Sequence, residues 1–190
     1  LVDSGGQYSF GTTDVTRTIS LDNNSKFIRE IYTRVLKGHI AVSDYKIKKN
    51  SKGSDIDRNA RKSLKEIRLD YPHGTGHGVG YFLNVHEGPQ AISKYNNIKL
   101  QNGMILSNEP GYYEKNKFGI RIENLVYIKK TKNKLSFKNL TLAPIDIDLI
   151  NFKLLDNKEK KYLSYYHKYT YQKVSNFLNK EEKNWLKNLI

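Results

Sequence analysis

The sequence predicts a single mixed α/β domain that ends in a polar helical extension. Residues 1–8 and 13–20 read as two strands joined by a glycine-containing turn, and the second strand is rich in β-branched side chains. Apolar residues between Phe27 and Ile40 recur with the period of a helix. With 190 residues and 37% hydrophobic side chains, the chain can bury a substantial core.

The first helix is predicted to begin at Asn23, Asn24 and Ser25, which are residues typical of a helix start. Gly38 lies inside this helix at a cost of about 1 kcal/mol against alanine, so it indicates close packing against a neighbour. Residues 55–69 predict a second helix with apolar positions at helical spacing. The helical part of the domain therefore follows its first hairpin directly.

Strands and loops are predicted for the middle of the chain. Residues 73–89 are rich in glycine and histidine and follow neither period, which indicates a loop region. Residues 104–128 read as strands interrupted by Pro110 and Gly111, and residues 135–145 as one more strand or extended segment. Residues 157–190 are polar and helical. We predict a main domain over residues 1–145 and a helical extension over residues 146–190.

Composition excludes several classes of protein. No apolar run approaches the ~20 residues that span a bilayer, so we predict no membrane partner. The absence of cysteine excludes a disulfide framework and a thiolate metal site. It also fits a reducing compartment, and we predict a cytoplasmic protein. The net charge of +14 comes mainly from lysines spread along the chain, which favours a solvated basic surface over a nucleic-acid site.

The chain opens on Leu1 within an apparent strand, without the basic and apolar segments of a signal peptide. We expect it to be part of a longer protein whose upstream portion is missing. A sheet without its upstream strands exposes an unpaired edge and apolar surface. Residues 1–190 alone are therefore expected to fold poorly and to be inactive.

Acidic residues and a histidine recur at positions that could share one site. Asp3 and Asp14 lie on neighbouring strands of the predicted hairpin, where antiparallel pairing can bring both carboxylates to one end. His77 lies in the glycine-rich region and Glu109 directly precedes Pro110–Gly111. Glu123 lies in an otherwise apolar strand, where a carboxylate is costly unless it is paired or metal-bound.

Four carboxylates and one imidazole form an oxygen-rich ligand set that suits Mn²⁺ or Mg²⁺ better than a structural zinc. Five ligands exceed what one ion usually takes from a protein, which indicates two ions that share carboxylates. Each residue also has a simpler interpretation. Asp3 suits a turn, His77 and Glu109 suit loops, and Glu123 could pair with Arg121 or a lysine.

The ordered motifs resemble those of aminopeptidase P, the Xaa-Pro aminopeptidase family, in its longer three-domain type. The matching blocks are DSGGQY (residues 3–8), GTTDVTRT (11–18), HGTGHGVG (73–80), LNVHEGP (83–89), NEPGYY (108–113) and GIRIEN (119–124). VLKGHI (35–40) and LTLAP (140–144) are similar to the family as well. The resemblance spans nearly the whole chain.

The resemblance implies the pita-bread fold, incomplete here at its N-terminus, with residues 1–145 as most of the catalytic domain. It implies a site with two divalent ions, most often Mn²⁺, with Zn²⁺ or Co²⁺ as alternatives. Asp3 would hold one ion, Asp14 and Glu123 would bridge both, and His77 and Glu109 would hold the second. A hydroxide bridging the ions would attack the first peptide bond of substrates that carry proline at position two.

The resemblance implies further roles beside the metal ligands. Glu109 would also carry a proton, and His73 and His86 would bind the substrate and stabilise charge on the scissile carbonyl. Arg121 and Tyr113 would orient the carboxylates that bind metal. The substrates would be peptides with an N-terminal Xaa-Pro sequence.

The family also implies a homodimer of the parent protein. The aromatic residues that could supply the dimer surface lie in the C-terminal extension: Tyr162, Tyr165, Tyr166, Tyr169, Tyr171 and Trp185. Ordinary packing of this helix on its own domain is the alternative interpretation.

Three other functions remain as alternatives. A prolidase-like dipeptidase shares the fold, and it would need a site for the free carboxylate of a dipeptide, which the sequence does not reveal. A non-catalytic pita-bread binding module would usually lack several of the ligands. A basic nucleic-acid-binding protein would show clustered arginines with interleaved aromatic residues, a pattern that the sequence lacks.

Overall fold

The computed structural model describes residues 1–21, 24–82 and 84–189. It opens with an antiparallel hairpin of β1 (Val2–Tyr8) and β2 (Gly11–Arg17). The predicted second strand extended to residue 20, but the ladder ends at the pair of Val2 and Arg17. Beyond it, the hydroxyl of Thr18 bonds the backbone of Arg121 instead, with its oxygen 3.1 Å from the Arg121 nitrogen.

Two helices follow the hairpin. Helix α1 (Lys26–Ser43) begins at Ser25, whose hydroxyl accepts a hydrogen bond from the Ile28 nitrogen, as the predicted start requires. Asn23 of that prediction lies outside the described residues. Helix α2 (Gly53–Lys65) is shorter at its C-terminal end than the predicted 55–69. The close packing predicted at Gly38 is confirmed, because a Cβ there would lie 2.5 Å from the carbonyl oxygen of Ala60 in α2.

The remaining strands are all paired antiparallel in the described residues. The order along the chain is β3 (Gly76–His77), β4 (Ala91–Ile92), β5 (Ile105–Asn108), β6 (Gly111–Glu114), β7 (Phe118–Arg121), β8 (Asn124–Thr131) and β9 (Lys134–Asn139). Strands β3 and β4 pair, β6 and β7 form a hairpin, and β8 lies between β5 and β9. The predicted interruption at Pro110–Gly111 separates β5 from β6.

The last predicted strand, residues 135–145, is shorter in the structure and ends at Asn139. The segment that follows is held by a side chain instead of a strand. The guanidinium of Arg17 donates to the carbonyl oxygens of Ala143 and Pro144, both at 2.7 Å. These carbonyls are therefore satisfied without a sheet partner.

The predicted C-terminal helix is divided into α3 (Asn157–Val174) and α4 (Lys180–Asn188), with a short 3₁₀ turn between them. The division occurs because Asn179 caps a new helix, and its side chain accepts from the Glu182 nitrogen. Tyr166 of α3 is buried, in agreement with packing on the chain's own domain, whereas Tyr165 and Trp185 are exposed.

Two apolar clusters hold these elements together. The first joins α1 with α3 and the segment before it, through residues such as Leu36, Ile145 and Leu163. The second joins α1 and α2 to the β5–β8–β9 sheet, through residues such as Val42, Ile56 and Val126. Helix α1 therefore contributes to both clusters. None of the described helices is long and apolar enough to span a membrane.

Candidate metal centre

The β1–β2 hairpin presents two carboxylates on one face. Asp3 pairs with Thr16 and Gly5 with Asp14 in the antiparallel ladder. Because side chains alternate along a strand and cross-strand partners share a face, Asp3, Asp14 and Thr16 all point to the same side. Gly5 adds no side chain opposite Asp14, which leaves space beside that carboxylate. The expected proximity of the two aspartates is therefore a consequence of the register.

His77 enters this face from the glycine-rich region. Its Nδ1 lies 3.0 Å from the carbonyl oxygen of Gly78, so a proton on Nδ1 donates to that carbonyl. Its Nε2 faces the carboxylates of Asp14, at 3.3 Å, and Glu109, at 3.6 Å, and is free to bind a metal ion when it carries no proton. The neighbouring Gly76 permits the approach, since a Cβ there would lie 2.0 Å from the Ser107 carbonyl oxygen.

Glu109 is held at the corner between β5 and β6. Its backbone nitrogen donates to the Thr75 carbonyl oxygen at 2.8 Å. One carboxylate oxygen, Oε1, accepts from the hydroxyl of Ser107 at 3.0 Å. Pro110 follows and has no N–H to continue the strand, so the chain turns at this point. The corner thus aims the carboxylate at His77.

Glu123 lies between β7 and β8 and is 2% exposed. Its backbone nitrogen donates to the Thr16 carbonyl oxygen at 3.1 Å, and its Oε2 accepts from the Thr16 hydroxyl at 2.6 Å. One residue of β2 therefore holds both the backbone and the side chain of Glu123. Glu123 lies between buried apolar residues, Ile122 and Leu125, as the sequence predicts, and Thr16 is its specific polar partner.

The five predicted ligands converge around one cleft of about 380 Å³. Their donor atoms form overlapping groups within which all atoms lie within 4.8 Å of one another. The groups are Asp3 with Asp14 and Glu123, His77 with Glu109 and Glu123, and Asp14 with His77 and His86. Glu123, Asp14 and His77 each occur in two groups, and the two shared carboxylates fit a site for two cations.

The electrostatics of the cleft favour bound cations. Burial raises the pKa of Glu123 to about 7, and the charges of Glu109 and Asp14 act in the same direction. Burial lowers the pKa of His77, but the hydrogen bond that the protonated ring donates to Asp14, the contact with the Gly78 backbone and the nearby carboxylates outweigh it, so the pKa is raised. Carboxylates that repel one another in a partly buried site are compensated by a cation. The residues present therefore fit divalent metal ions.

Arg121 links Asp3 to Thr16 and Tyr113. The guanidinium of Arg121 forms an ion pair with Asp3, donates to the Thr16 hydroxyl at 3.0 Å, and donates to the Tyr113 hydroxyl at 2.8 Å. The same tyrosine oxygen lies 2.9 Å from Nε2 of His73. Arg121 and Tyr113, which the sequence predicts to orient the metal-binding carboxylates, therefore link Asp3 to His73.

The two remaining predicted residues differ in exposure. His86 is exposed, lines the cleft, and packs its ring edge-to-face on that of His77 with centroids 4.1 Å apart. His73 is half-buried and lies beside Tyr113 rather than among the donor atoms. Its carbonyl oxygen accepts from Arg61 of α2 at 2.5 Å, which anchors this loop to the helix.

Sequence reasoning missed two hydroxyl residues of the site. Thr16 bonds Glu123 and Arg121, and Ser107 bonds Glu109 and the backbone nitrogen of His77. Each lies two positions from a predicted ligand, Thr16 from Asp14 and Ser107 from Glu109. Because residues i and i+2 of a strand share a face, that spacing was a usable signal.

Comparisons with known proteins identify a metallopeptidase family. Residues 1–130 match metallopeptidase family M24, and residues 133–189 match the C-terminal region of peptidase M24. A probable Xaa-Pro aminopeptidase P of Coprinopsis cinerea is 48% identical over 200 residues, covering 98% of this chain and 32% of that protein. Aminopeptidase P2 of Arabidopsis thaliana is 50% identical over 188 residues, covering 94% and 26%. The chain therefore spans about a third or less of these relatives.

Solved structures of proline-specific peptidases also match this chain. An X-prolyl aminopeptidase from Caenorhabditis elegans, described as a cytosolic enzyme with a di-nuclear active site, matches with a TM-score of 0.92 and 41% identity. The match covers 98% of this chain and 32% of that one. A prolidase from Pyrococcus furiosus matches with a TM-score of 0.65 and 33% identity, covering 73% and 40%.

Proposed function

Since the chain belongs to metallopeptidase family M24, we propose that it is the catalytic part of a metal-dependent Xaa-Pro aminopeptidase. The reaction is hydrolysis of the first peptide bond of peptides that carry proline at position two. The predicted pita-bread fold is confirmed by the match to the nematode enzyme. The observation that carries the proposal is the convergence of Asp3, Asp14, His77, Glu109 and Glu123 on one cleft.

The proposed ligands divide between two cations. Asp3 would hold one ion, Asp14 and Glu123 would be shared, and His77 and Glu109 would hold the other. The contacts support this division, because Asp3 groups with Asp14 and Glu123, while His77 groups with Glu109 and Glu123. When bound, the two cations supply Lewis acidity and lower the pKa of water to the range where hydroxide forms at neutral pH.

The side chains of this chain perform the remaining tasks. Glu109 carries a proton between the attacking water and the leaving amine; its Oε1 is held by Ser107 and its carboxylate faces His77. His86, exposed at the cleft, donates to the scissile carbonyl as charge develops there. His73 contacts the substrate from the side of Tyr113. Arg121 and Tyr113 keep Asp3 and Glu109 oriented.

Two other functions fit the chain less well. A prolidase-like dipeptidase has the same fold, but the prolidase match covers 73% of the chain at 33% identity, against 98% at 41% for the X-prolyl aminopeptidase. A non-catalytic binding module would have no reason to keep carboxylates that repel one another around His77 and Glu123. The comparisons therefore favour the aminopeptidase over the prolidase, and the cluster of carboxylates favours a catalytic site over a binding module.

The test compares two peptides with the Mn²⁺-loaded intact protein. Proline lacks an amide N–H and its ring fixes φ, so a pocket shaped for the ring can discriminate. We expect cleavage of Arg-Pro-Pro and little cleavage of Arg-Ala-Ala. Equal hydrolysis of both would indicate a broad-specificity peptidase. Cleavage of the dipeptide Arg-Pro in preference to Arg-Pro-Pro would indicate the prolidase.

The identity of the metal is a proposal as well. Mn²⁺ is the proposed metal, with Zn²⁺ and Co²⁺ as alternatives. Measuring the metal content of the purified protein and reloading it with each ion distinguishes them.

Residues 1–145 are proposed as most of the catalytic domain and residues 146–190 as a helical extension. Exposed Tyr165 and Trp185 support a homodimer, which sedimentation velocity tests. A cytoplasmic setting follows the nematode relative, and localisation of the tagged protein tests it.

A further inference from the structure

The VLKGHI motif of helix α1 places a histidine directly behind the metal centre. His39 is fully buried and lies outside the set of residues that line the cleft. Because its side chain has no exposed surface, it cannot contact a substrate in this structure, and a buried histidine needs another reason to be tolerated. Its contacts lead to the two segments that carry Glu109 and Glu123.

The first contact is a reciprocal clamp between His39 and Asn108, the last residue of β5. Nδ1 of His39 lies 3.2 Å from the Asn108 carbonyl oxygen. The side-chain nitrogen of Asn108 donates in return to the His39 carbonyl oxygen at 2.9 Å and to the Ser43 hydroxyl at 3.1 Å. Both residues are fully buried. The residue immediately before Glu109 is thus bound to α1 through its main chain and its side chain.

The residue after Glu109 is held by the same turn of α1. A Cβ on Gly38 would lie 3.5 Å from Cβ of Pro110, so the helix backbone approaches the corner closely. The backbone of Ile122, which precedes Glu123, also lies against the histidine, and its nitrogen is 3.4 Å from the Pro110 carbonyl oxygen. One helical turn therefore faces both glutamate-bearing segments.

The ring of His39 is neutral at physiological pH. Burial lowers its pKa to about 3, assisted by the positive charge of Arg17 and opposed by the backbones of Asn108 and Ile122. A neutral imidazole has one N–H, and donation to the Asn108 carbonyl places it on Nδ1. Nε2 has no hydrogen-bond partner among the residues that the structure describes. The Nδ1 bond is therefore the hydrogen bond that the ring donates, and the Ile122 backbone is a second polar neighbour of the ring.

We propose that His39 is a positioning residue for the metal centre, which holds the backbone leading into Glu109 through its Nδ1 bond to Asn108. The inference rests on the proposed function only in that Glu109 and Glu123 bind metal. Residues that orient metal ligands typically change metal affinity or activity by 10–100-fold when they are replaced. His39 acts on the ligand through the main chain, so its loss should misplace the carboxylate without removing it.

The test uses two isomeric replacements in the intact protein. The amide of asparagine in H39N reaches the position of Nδ1, whereas the longer glutamine in H39Q carries its amide to the position of Nε2. H167N is the matched control, because His167 is also buried and has a lowered pKa, but it accepts from the Ile145 nitrogen away from the cleft. The measurements are Mn²⁺ affinity by calorimetry, kcat and KM at saturating Mn²⁺, and Tm without metal.

We expect H39Q to weaken Mn²⁺ binding by about 10–100-fold and to lower kcat more than it changes KM, while H39N stays within about threefold. H167N should lower Tm but leave Mn²⁺ affinity within about threefold. Equal loss of affinity in H39N and H39Q, or an equal loss in H167N, would overturn the proposal. Mn²⁺ binding without Xaa-Pro cleavage by the unsubstituted protein contradicts the proposed function alone, since the affinity comparison involves no peptide.

Discussion

Glu123 is the buried carboxylate of the proposed metal centre whose charge costs most free energy. It is 2% exposed, and Glu109 and Asp14 both disfavour its charge, so its pKa rises to about 7. Its one short hydrogen bond, from the Thr16 hydroxyl at 2.6 Å, offsets only part of this cost. Such a carboxylate destabilises the metal-free protein and stabilises a cation, which is the behaviour expected of a ligand.

Replacement of Glu123 should therefore have opposite effects on stability and activity. Glu123→Gln keeps an oxygen that accepts from Thr16 but removes the buried charge. We expect turnover with Arg-Pro-Pro to be abolished and the Tm in EDTA to rise. Glu114→Gln, at an acid that pairs with Lys117 outside the cleft, serves as the control. Retention of more than about a tenth of the unsubstituted kcat would contradict the role as a shared ligand, since even orienting residues cost 10–100-fold.

Thr16 provides a second test at the residue scale. Its hydroxyl donates to Glu123 and accepts from Arg121, so Thr16→Val removes both contacts at nearly constant volume. We expect kcat to fall by about 10–100-fold, with recovery of most activity in Thr16→Ser. Thr33→Val removes an equally buried hydroxyl, which bonds Arg29 and Asn151 away from the cleft. Activity of Thr16→Val that equals that of Thr33→Val would argue against an orienting role.

At the scale of elements, helix α1 packs against α2 and against the corner that carries Glu109, and it determines how closely they approach. Its residues contribute to both apolar clusters, and Gly38 brings its backbone against α2. Glycine lowers the intrinsic stability of a helix, so its presence here indicates that the contact with Ala60 matters more. The same turn carries His39, and a shift of α1 would therefore displace the corner that holds Glu109.

Gly38→Ala tests this arrangement. Alanine gains about 1 kcal/mol in helix propensity, but its Cβ would lie 2.5 Å from the Ala60 carbonyl oxygen, which is backbone and cannot swing aside. We expect a net loss of about 1–3 kcal/mol in the free energy of unfolding. Gly11→Ala is the control, since a Cβ there meets no atom within 4 Å. An increase in stability from Gly38→Ala, measured by urea unfolding, would show that the two helices are not in close contact.

At the scale of the whole molecule, the metal centre is where distant segments meet. The proposed ligands come from the β1–β2 hairpin, strand β3, the corner after β5 and the segment before β8. Arg17 of β2 also links two of these segments, because it donates to the Glu123 carbonyl oxygen at 2.5 Å and to the Ala143 carbonyl oxygen after β9. Cations bound among these segments would hold them together as cross-links do, while the metal-free site would retain repulsion between carboxylates.

Metal removal should therefore destabilise the intact protein as well as inactivate it. Ligand at 100 times its Kd stabilises the folded state by about 2.7 kcal/mol, so Tm should fall on addition of EDTA and recover with Mn²⁺. Thermal unfolding followed by circular dichroism measures the change. Glu123→Gln should show little of this dependence. A Tm that does not respond to Mn²⁺ in the unsubstituted protein would contradict a metal site that joins these segments.

The sequence by itself determined the local part of this description. The helix start at Ser25, the break at Pro110–Gly111 and the close packing of Gly38 follow from capping, the missing proline N–H and the absence of a Cβ. Asp3 and Asp14 share a face because a hairpin of this pattern has a determined alternation. Motif order was enough to predict the family and the pita-bread fold.

Only the tertiary structure decided how the distant groups combine. Thr16 and Glu123 are 107 positions apart, and His39 and Asn108 are 69 apart, so no local period relates them. The end of β9 depends on Arg17, which binds carbonyls more than 120 residues along the chain. Hydrogen bonds and electrostatic repulsion act over a few ångströms in space, and the separation of two side chains is determined by the packed fold rather than by their spacing in sequence.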